Sequence, residues 1–237
     1  MKGTPDTVAV MARWDATLGF DPLTATFHLL RGPRFEETEV LAWKLGDSVL
    51  ALPASLQGAL PSRQSEYRAG RACAALALSQ LGSRELKVPR RDDRSPEWPA
   101  GFTGSLSHTS GKAVALLTLA EPARSVGVDI ENVLSSSTRR EIEGRVLSEP
   151  EAMRLSPSLP LNDEERLTLV FSAKEACFKA LYRIHGEFRD FLDLEVLHAD
   201  EAGSLRVLDG KSGMECRGTW RRECANILSF VELVPTR

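Results

Sequence analysis

No stretch of this chain approaches the roughly 18 to 20 consecutive apolar residues that a membrane-spanning helix needs. The nearest, Ala72 to Leu81, is short and interrupted by Ser79 and Gln80. Asp6, Arg13 and Asp15 likewise break any signal-peptide core near the N-terminus. There is no basic excess either. Thirty Lys and Arg stand against 33 Asp and Glu, a formal net charge of −3, which argues against a general nucleic-acid binder but leaves room for a local basic pocket around a phosphorylated ligand. Cysteines are few, and Cys73, Cys177, Cys216 and Cys224 form no CxxC pair and no zinc-ligand spacing. Cys216 and Cys224 could face each other across a hairpin, but the usage as a whole reads as reduced and cytoplasmic. No P-loop GxxxxGK[ST], kinase glycine loop, short repeat or low-complexity tract is present. What remains is ordinary for a soluble globular chain: 237 residues, 42% hydrophobic and 27% charged, enough for one large domain or two small ones.

Apolar spacing predicts a helix from about Ser65 to Leu81, stopped by Gly82, and a stronger one over Leu167 to Tyr182. Val88 to Gly104, punctuated by three prolines and two glycines, reads as a loop with a defined path. Lys112–Leu119 and Ser125–Glu131 read as strands flanking a turn at Glu121-Pro122-Ala123-Arg124. Residues 133–166 are polar with helical fragments. The tail alternates short strands at Leu194–His198, Leu205–Leu208, Gly213–Trp220 and Ile227–Val234 with glycine-containing turns. Each half thus places a helix before strands. The expected class is α+β in two lobes, residues 1–122 and 123–237.

Three segments carry candidate chemistry. In Val126-Gly127-Val128-Asp129-Ile130-Glu131 the period of two gathers Asp129 and Glu131 on one strand face, with alpha carbons roughly 6.6 Å apart. Carboxylates that close repel unless a cation sits with them, so the pair is either a solvated face or a site for a hard divalent ion such as Mg²⁺ beside substrate phosphates. In the second helix Lys174 falls within the apolar arc of Leu167, Val170, Phe171, Cys177, Phe178 and Leu181. A lysine there either snorkels to the edge or is held for an anion. Glu175 and Lys179, four apart on the shoulder of that face, make an ordinary helix ion pair or belong to a phosphate site. The segment Gly104-Ser105-Leu106-Ser107-His108-Thr109-Ser110-Gly111 offers hydroxyls, a histidine and glycines that let backbone N–H groups approach a ligand, as a loop would. Arg63, Arg71 and Arg90 upstream have the planar donors that suit phosphate, or are solvated surface charges.

Taken together these pieces resemble the 4′-phosphopantetheinyl transferases of the larger, pseudo-dimeric type, which activate siderophore, peptide and polyketide synthetases. The matching segments are Ala69-Gly70-Arg71, Trp98-Pro99-Ala100-Gly101, Gly104-Ser105-Leu106-Ser107-His108, Gly127-Val128-Asp129-Ile130-Glu131 and Phe171-Ser172-Ala173-Lys174-Glu175 with Lys179-Ala180. They occur in the family's order over roughly residues 60–182, closest to the enterobactin-type branch. The resemblance implies a pseudo-dimer of similar lobes with the active site between them, a monomeric cytoplasmic enzyme, and coenzyme A and an apo acyl or peptidyl carrier protein as partners. It implies Mg²⁺, with Mn²⁺ as an alternative, on Asp129, Glu131 and Glu175. Glu175 and Lys179 are the implied catalytic residues; Arg63, Arg71, Arg90, Ser107, His108, Lys174 and Lys179 are the implied contacts to coenzyme A, with Arg91 or Arg94 able to replace Arg90. Arg139, Arg140 and Arg145 are candidates for meeting an acidic carrier, or belong to a solvated helix. A non-catalytic module that binds coenzyme A or a carrier, and an unrelated Mg²⁺-dependent phosphotransferase, are the competing readings.

Overall fold

The computed structural model describes residues 7–10, 29–31, 48–109, 112–120, 124–155 and 159–233. The expected turn at residues 121–123, Ser110 and Gly111 of the glycine-hydroxyl segment, and Val234 lie outside them. The chain divides into two compact units, Met1–Ala120 and Glu121–Arg237. Each contains helices and an antiparallel sheet.

In the first unit β1 (Thr7–Val10), β2 (Leu29–Arg31), β3 (Phe102–Thr109) and β4 (Lys112–Leu119) form a sheet around β4, which pairs with β3 on one side and with β1 and β2 in succession on the other. A helical turn α1 (Ala54–Gln57) leads to α2 (Pro61–Gln80). The helix begins four residues before the sequence expectation because Pro61 occupies its first turn, where a missing N–H is harmless. It stops at Gly82, whose φ of +79° is costly for other residues, and Ser83 N–H closes the end on Leu78 O at 2.9 Å. Small residues Ala69, Ala72, Cys73 and Ala77 with Leu78 form the buried face of α2, packed with Ala113, Ala115 and Leu117 of β4.

The segment expected as a glycine-hydroxyl loop is instead strand β3, paired with β4 along its whole length. Alternate burial of Thr103, Ser105 and Ser107 follows the strand period. Gly104 is needed for packing rather than for a loop: a Cβ there would strike Leu116 O and the Leu117 side chain, and its carbonyl accepts from Trp98 Nε1 at 2.9 Å.

The second unit has a five-stranded sheet in the order β5-β9-β8-β7-β6, formed by β5 (Ser125–Asn132), β6 (Leu194–Ala199), β7 (Ser204–Asp209), β8 (Glu215–Glu223) and β9 (Asn226–Leu233). Helices α3 (Ser136–Val146), α4 (Glu149–Leu155) and α5 (Asp163–His185) precede β6. A capping box between Asn162 and Glu165 starts α5, and Gly186 at φ +66° ends it. Its Ala173, Ala176, Cys177, Ala180 and Leu181 share one core with Val207, Cys216, Ile227, Val231 and Leu233 of the sheet. All four cysteines carry free thiols, Cys224 exposed in the β8–β9 turn and the other three buried. Among the described residues no helix is long and apolar enough to cross a membrane.

Candidate active site

The second unit places its candidate residues through one glycine. Gly127 lies where α5 crosses β5, and a Cβ there would collide with the carbonyl of Ala176. Without a side chain at 127 the helix backbone settles against the strand. Since strand residues two apart share a face, Asp129 and Glu131 point to the same side as Gly127, toward Glu175 and Lys179 on α5. Lys179 Nζ donates to Asp129 Oδ1 at 2.7 Å and to Val128 O at 3.1 Å. Asp129 is buried and Glu131 and Lys179 are partly buried, so of the two readings of this strand face the solvated one does not hold at Asp129.

Charge is unbalanced there. Burial foremost, then the Asp129 charge, push the Glu131 carboxyl up to about 8 against the pull of Lys179, and Glu175 adds to the push. Glu175 is also raised, chiefly by burial, with Lys179 opposing and Asp129 adding. Asp129 thus raises both glutamates, Glu175 adds to Glu131, and a single ammonium opposes them; hard carboxyl oxygens gathered in this way suit Mg²⁺. A three-acid grip is nevertheless not preformed: among the described residues no three His, Cys, Asp or Glu side chains are gathered as a metal-holding group. Lys179 already claims Asp129, and Mg²⁺ commonly completes its shell with substrate phosphates rather than with a full protein cage.

Lys174 departs from the expectation for a coenzyme A contact. Its side chain has no exposure, and Nζ donates to Glu151 Oε2 at 2.9 Å and to Val146 O at 2.8 Å. The lysine on the apolar arc is held for an anion, but the anion is the protein's own. Burial lowers its pKa and the Glu151 charge raises it. Glu151 is one residue sequence reasoning missed, although Ser148-Glu149-Pro150-Glu151 carries the pattern of a capping box. Its Oε2 accepts from Ser148 N–H at 3.0 Å, and Oε1 from Val196 N–H at 2.8 Å.

In the first unit Arg63, Arg71, Arg90 and His108 line one cavity of about 200 Å³, together with Arg94 and Glu66. Arg63, Glu66, Tyr67, Gly70 and Arg71 follow the three-and-four spacing of one helix face, a signal that could have added Glu66 and Tyr67 beforehand. Arg63 Nη1 donates to Glu66 Oε2 at 3.3 Å and lies 3.4 Å from His108 Nε2. Arg71 stacks over the Tyr67 ring at 4.6 Å and is almost wholly buried, and its Nε has no hydrogen-bond partner among the described residues. Burial lowers its pKa, Tyr67 opposes and Arg90 adds to the lowering. A buried guanidinium with a spare donor, beside two further arginines, fits a phosphate. Arg94 adopts φ +72°, uncommon for a non-glycine residue, within a tight loop closed by Arg94 N–H on Arg91 O at 2.9 Å. Arg91 does not line the cavity, and neither does Ser107. The strand period turns Ser107 to the face of β3 opposite His108, where it is buried, so the expected contact to coenzyme A is not supported.

On α3, Arg139 is engaged by Glu143 at 2.8 Å with Glu164 and Asp163 nearby. Arg140 and Arg145 are exposed.

Comparison with known proteins places residues 52–118 in the family model of the 4′-phosphopantetheinyl transferase N-terminal domain and residues 125–222 in that of the 4′-phosphopantetheinyl transferase superfamily. Enterobactin synthase component D of Salmonella typhi is 39% identical over 171 residues, which cover 71% of this chain and 69% of that protein. The 4′-phosphopantetheinyl transferase PptT of Mycobacterium tuberculosis is 30% identical over 185 residues, covering 72% and 79%. Against enterobactin synthase component D of Salmonella typhimurium, 38% identical over 126 residues, the chain spans about half the relative's length, 51%.

Proposed function

Because the chain belongs to the 4′-phosphopantetheinyl transferase superfamily, we propose that it transfers the 4′-phosphopantetheine arm of coenzyme A to a serine of an apo carrier protein, in a reaction dependent on Mg²⁺ that releases adenosine 3′,5′-bisphosphate. The observation that carries this reading is the set held together at Gly127: Asp129 and Glu131 on β5 with Glu175 and Lys179 on α5. The names of the enterobactin relatives favour a carrier domain of a siderophore or peptide synthetase.

The cationic cavity takes the phosphorylated nucleotide end of coenzyme A, with Arg71 supplying a desolvated, directional donor and Arg63, Arg90, Arg94 and His108 adding charge. Asp129, Glu131 and Glu175 would hold Mg²⁺, which when bound neutralises diphosphate oxygens that otherwise repel a nucleophile. The carrier serine Oγ bonds to the β-phosphorus while the bond from that phosphorus to the bridging oxygen breaks. Glu175 accepts the serine proton, directly or through a bound water. Lys179 turns its ammonium from Asp129 to the departing phosphate and stabilises the charge that grows there.

The test is the mass of an apo carrier incubated with this protein, coenzyme A and Mg²⁺. Gain of one phosphopantetheine group is expected, and Glu175→Gln abolishes it with the fold intact. Near-normal turnover by that variant would remove Glu175 as base or ligand. Binding of coenzyme A with no mass gain on any of a panel of carriers would replace the enzyme with a binding module.

A further inference from the structure

Ser229 on β9 stands directly opposite Asp129 in the β5–β9 register. Opposed residues of an antiparallel pair share a sheet face with beta carbons about 4.5–5.5 Å apart, so the hydroxyl and the carboxylate lie on the side that α5 covers. The neighbours Ile227 and Val231, which share that face, belong to the core built around α5. Ser229 has no exposure, and its Oγ has no hydrogen-bond partner among the described residues. A buried hydroxyl in that condition is destabilising, and cores retain such groups mainly where function needs them.

The groups around it are already committed. Trp220, opposite Ser229 on β8, donates its Nε1 to Asp200 O at 2.9 Å. Ser172 on α5 donates to the backbone carbonyl of Asp129 at 3.4 Å. Lys179 donates to Asp129 Oδ1, yet the proposed reaction asks it to serve the phosphate. Its departure costs a buried carboxylate one charge-assisted hydrogen bond. Ser229 Oγ does not meet the carboxylate in its present rotamer, but a turn about Cα–Cβ to another staggered position can bring the hydroxyl to it as the replacing donor.

We propose that Ser229 is a positioning residue that donates to the Asp129 carboxylate when Lys179 moves to the phosphate, and so keeps Asp129 oriented for the metal. The inference rests on reading Asp129 as a metal acid. Mn²⁺ binding to the full chain in the presence of coenzyme A, followed by electron paramagnetic resonance alongside thermal unfolding, tests both. Asp129→Asn should abolish Mn²⁺ binding; if it binds as the wild type does, the reading of the acid site fails. Ser229→Ala should weaken Mn²⁺ binding about 10-fold, the order seen when a partner of a metal ligand is removed, with Tm unchanged or higher because an unpartnered hydroxyl is gone. Ser125→Ala supplies the control. It removes another buried, unpartnered hydroxyl of β5, one opposite Leu233 rather than beside an acid, and should leave Mn²⁺ binding at the wild-type level. Wild-type Mn²⁺ binding by Ser229→Ala, or equal weakening in both serine variants, overturns the role of Ser229 while leaving the acid site standing.

Discussion

Two lysines five residues apart on α5 make carboxylate pairs of nearly equal length, and their surroundings set them apart. Lys174 meets Glu151 at 2.9 Å and Lys179 meets Asp129 at 2.7 Å. The first pair is closed: neither side chain has appreciable exposure, and Glu151 is further fixed by Ser148 and Val196. The second is open at the lysine, whose side chain keeps 25% exposure, and Asp129 shares its surroundings with two more acids. A closed pair ties α4 to α5 and cannot change partners without exposing a bare charge to an apolar interior. An open pair beside two further carboxyl groups can exchange its cation. Distance alone does not separate a sealed lysine from an accessible one; exposure and the neighbouring groups do.

The largest effect should come from breaking the closed pair. Lys174→Ala leaves Glu151 buried without its cation, a loss of about 3–5 kcal/mol that chemical denaturation would register. An unchanged midpoint with lost transfer would make Lys174 functional and erase the contrast. Lys179→Ala should do the opposite, lowering turnover about 10²–10³-fold while Tm shifts little, as read by carrier mass gain and thermal unfolding of the same preparation. The contrast sharpens in the arginine cavity. Arg71→Ala should raise the KM for coenzyme A about 10-fold, the worth of one charge-assisted hydrogen bond from a buried donor, and Arg63→Ala by less, because its side chain is half exposed. The reverse ranking would show that burial does not mark the main anion contact.

The smallest effect is in pH. The Glu131 carboxyl holds its proton up to about 8 in the folded protein against an ordinary 4.5. The native state therefore binds more protons than the unfolded chain between those values. Its contribution is full below the ordinary value and is lost as pH rises through about 8. Tm of the ligand-free protein should carry this falling component, and Glu131→Gln should flatten it. An identical slope in the variant would place the ionisation elsewhere.

Much of the candidate site was legible in the chain. The period of two that puts Asp129 and Glu131 on one face, and the period of 3.6 that puts Glu175 and Lys179 on one shoulder, are local consequences of backbone geometry. The ordered motifs pointed to the family before any coordinates. Other features needed partners distant in sequence. In the sequence Lys174 is indistinguishable from a ligand-binding lysine, and only the fold brings Glu151, 23 residues earlier, to pair with it. Ser107 sat in a segment rich in glycine and hydroxyls, a loop composition, and only pairing with β4 turned it into a strand and sent its side chain away from His108. Ser229 gave no local signal, because its interest lies in which residue faces it across β9 and β5.

By itself the sequence determined the two α+β halves, the helix end fixed by Gly82, and the residue types able to hold a diphosphate and a hard cation, since each depends on propensity and spacing along a few turns. The tertiary structure alone decided which lysine is sealed, which keeps an open side and which arginine is desolvated. Those properties depend on burial and on the net charge of neighbours gathered from remote segments, and no local pattern encodes either.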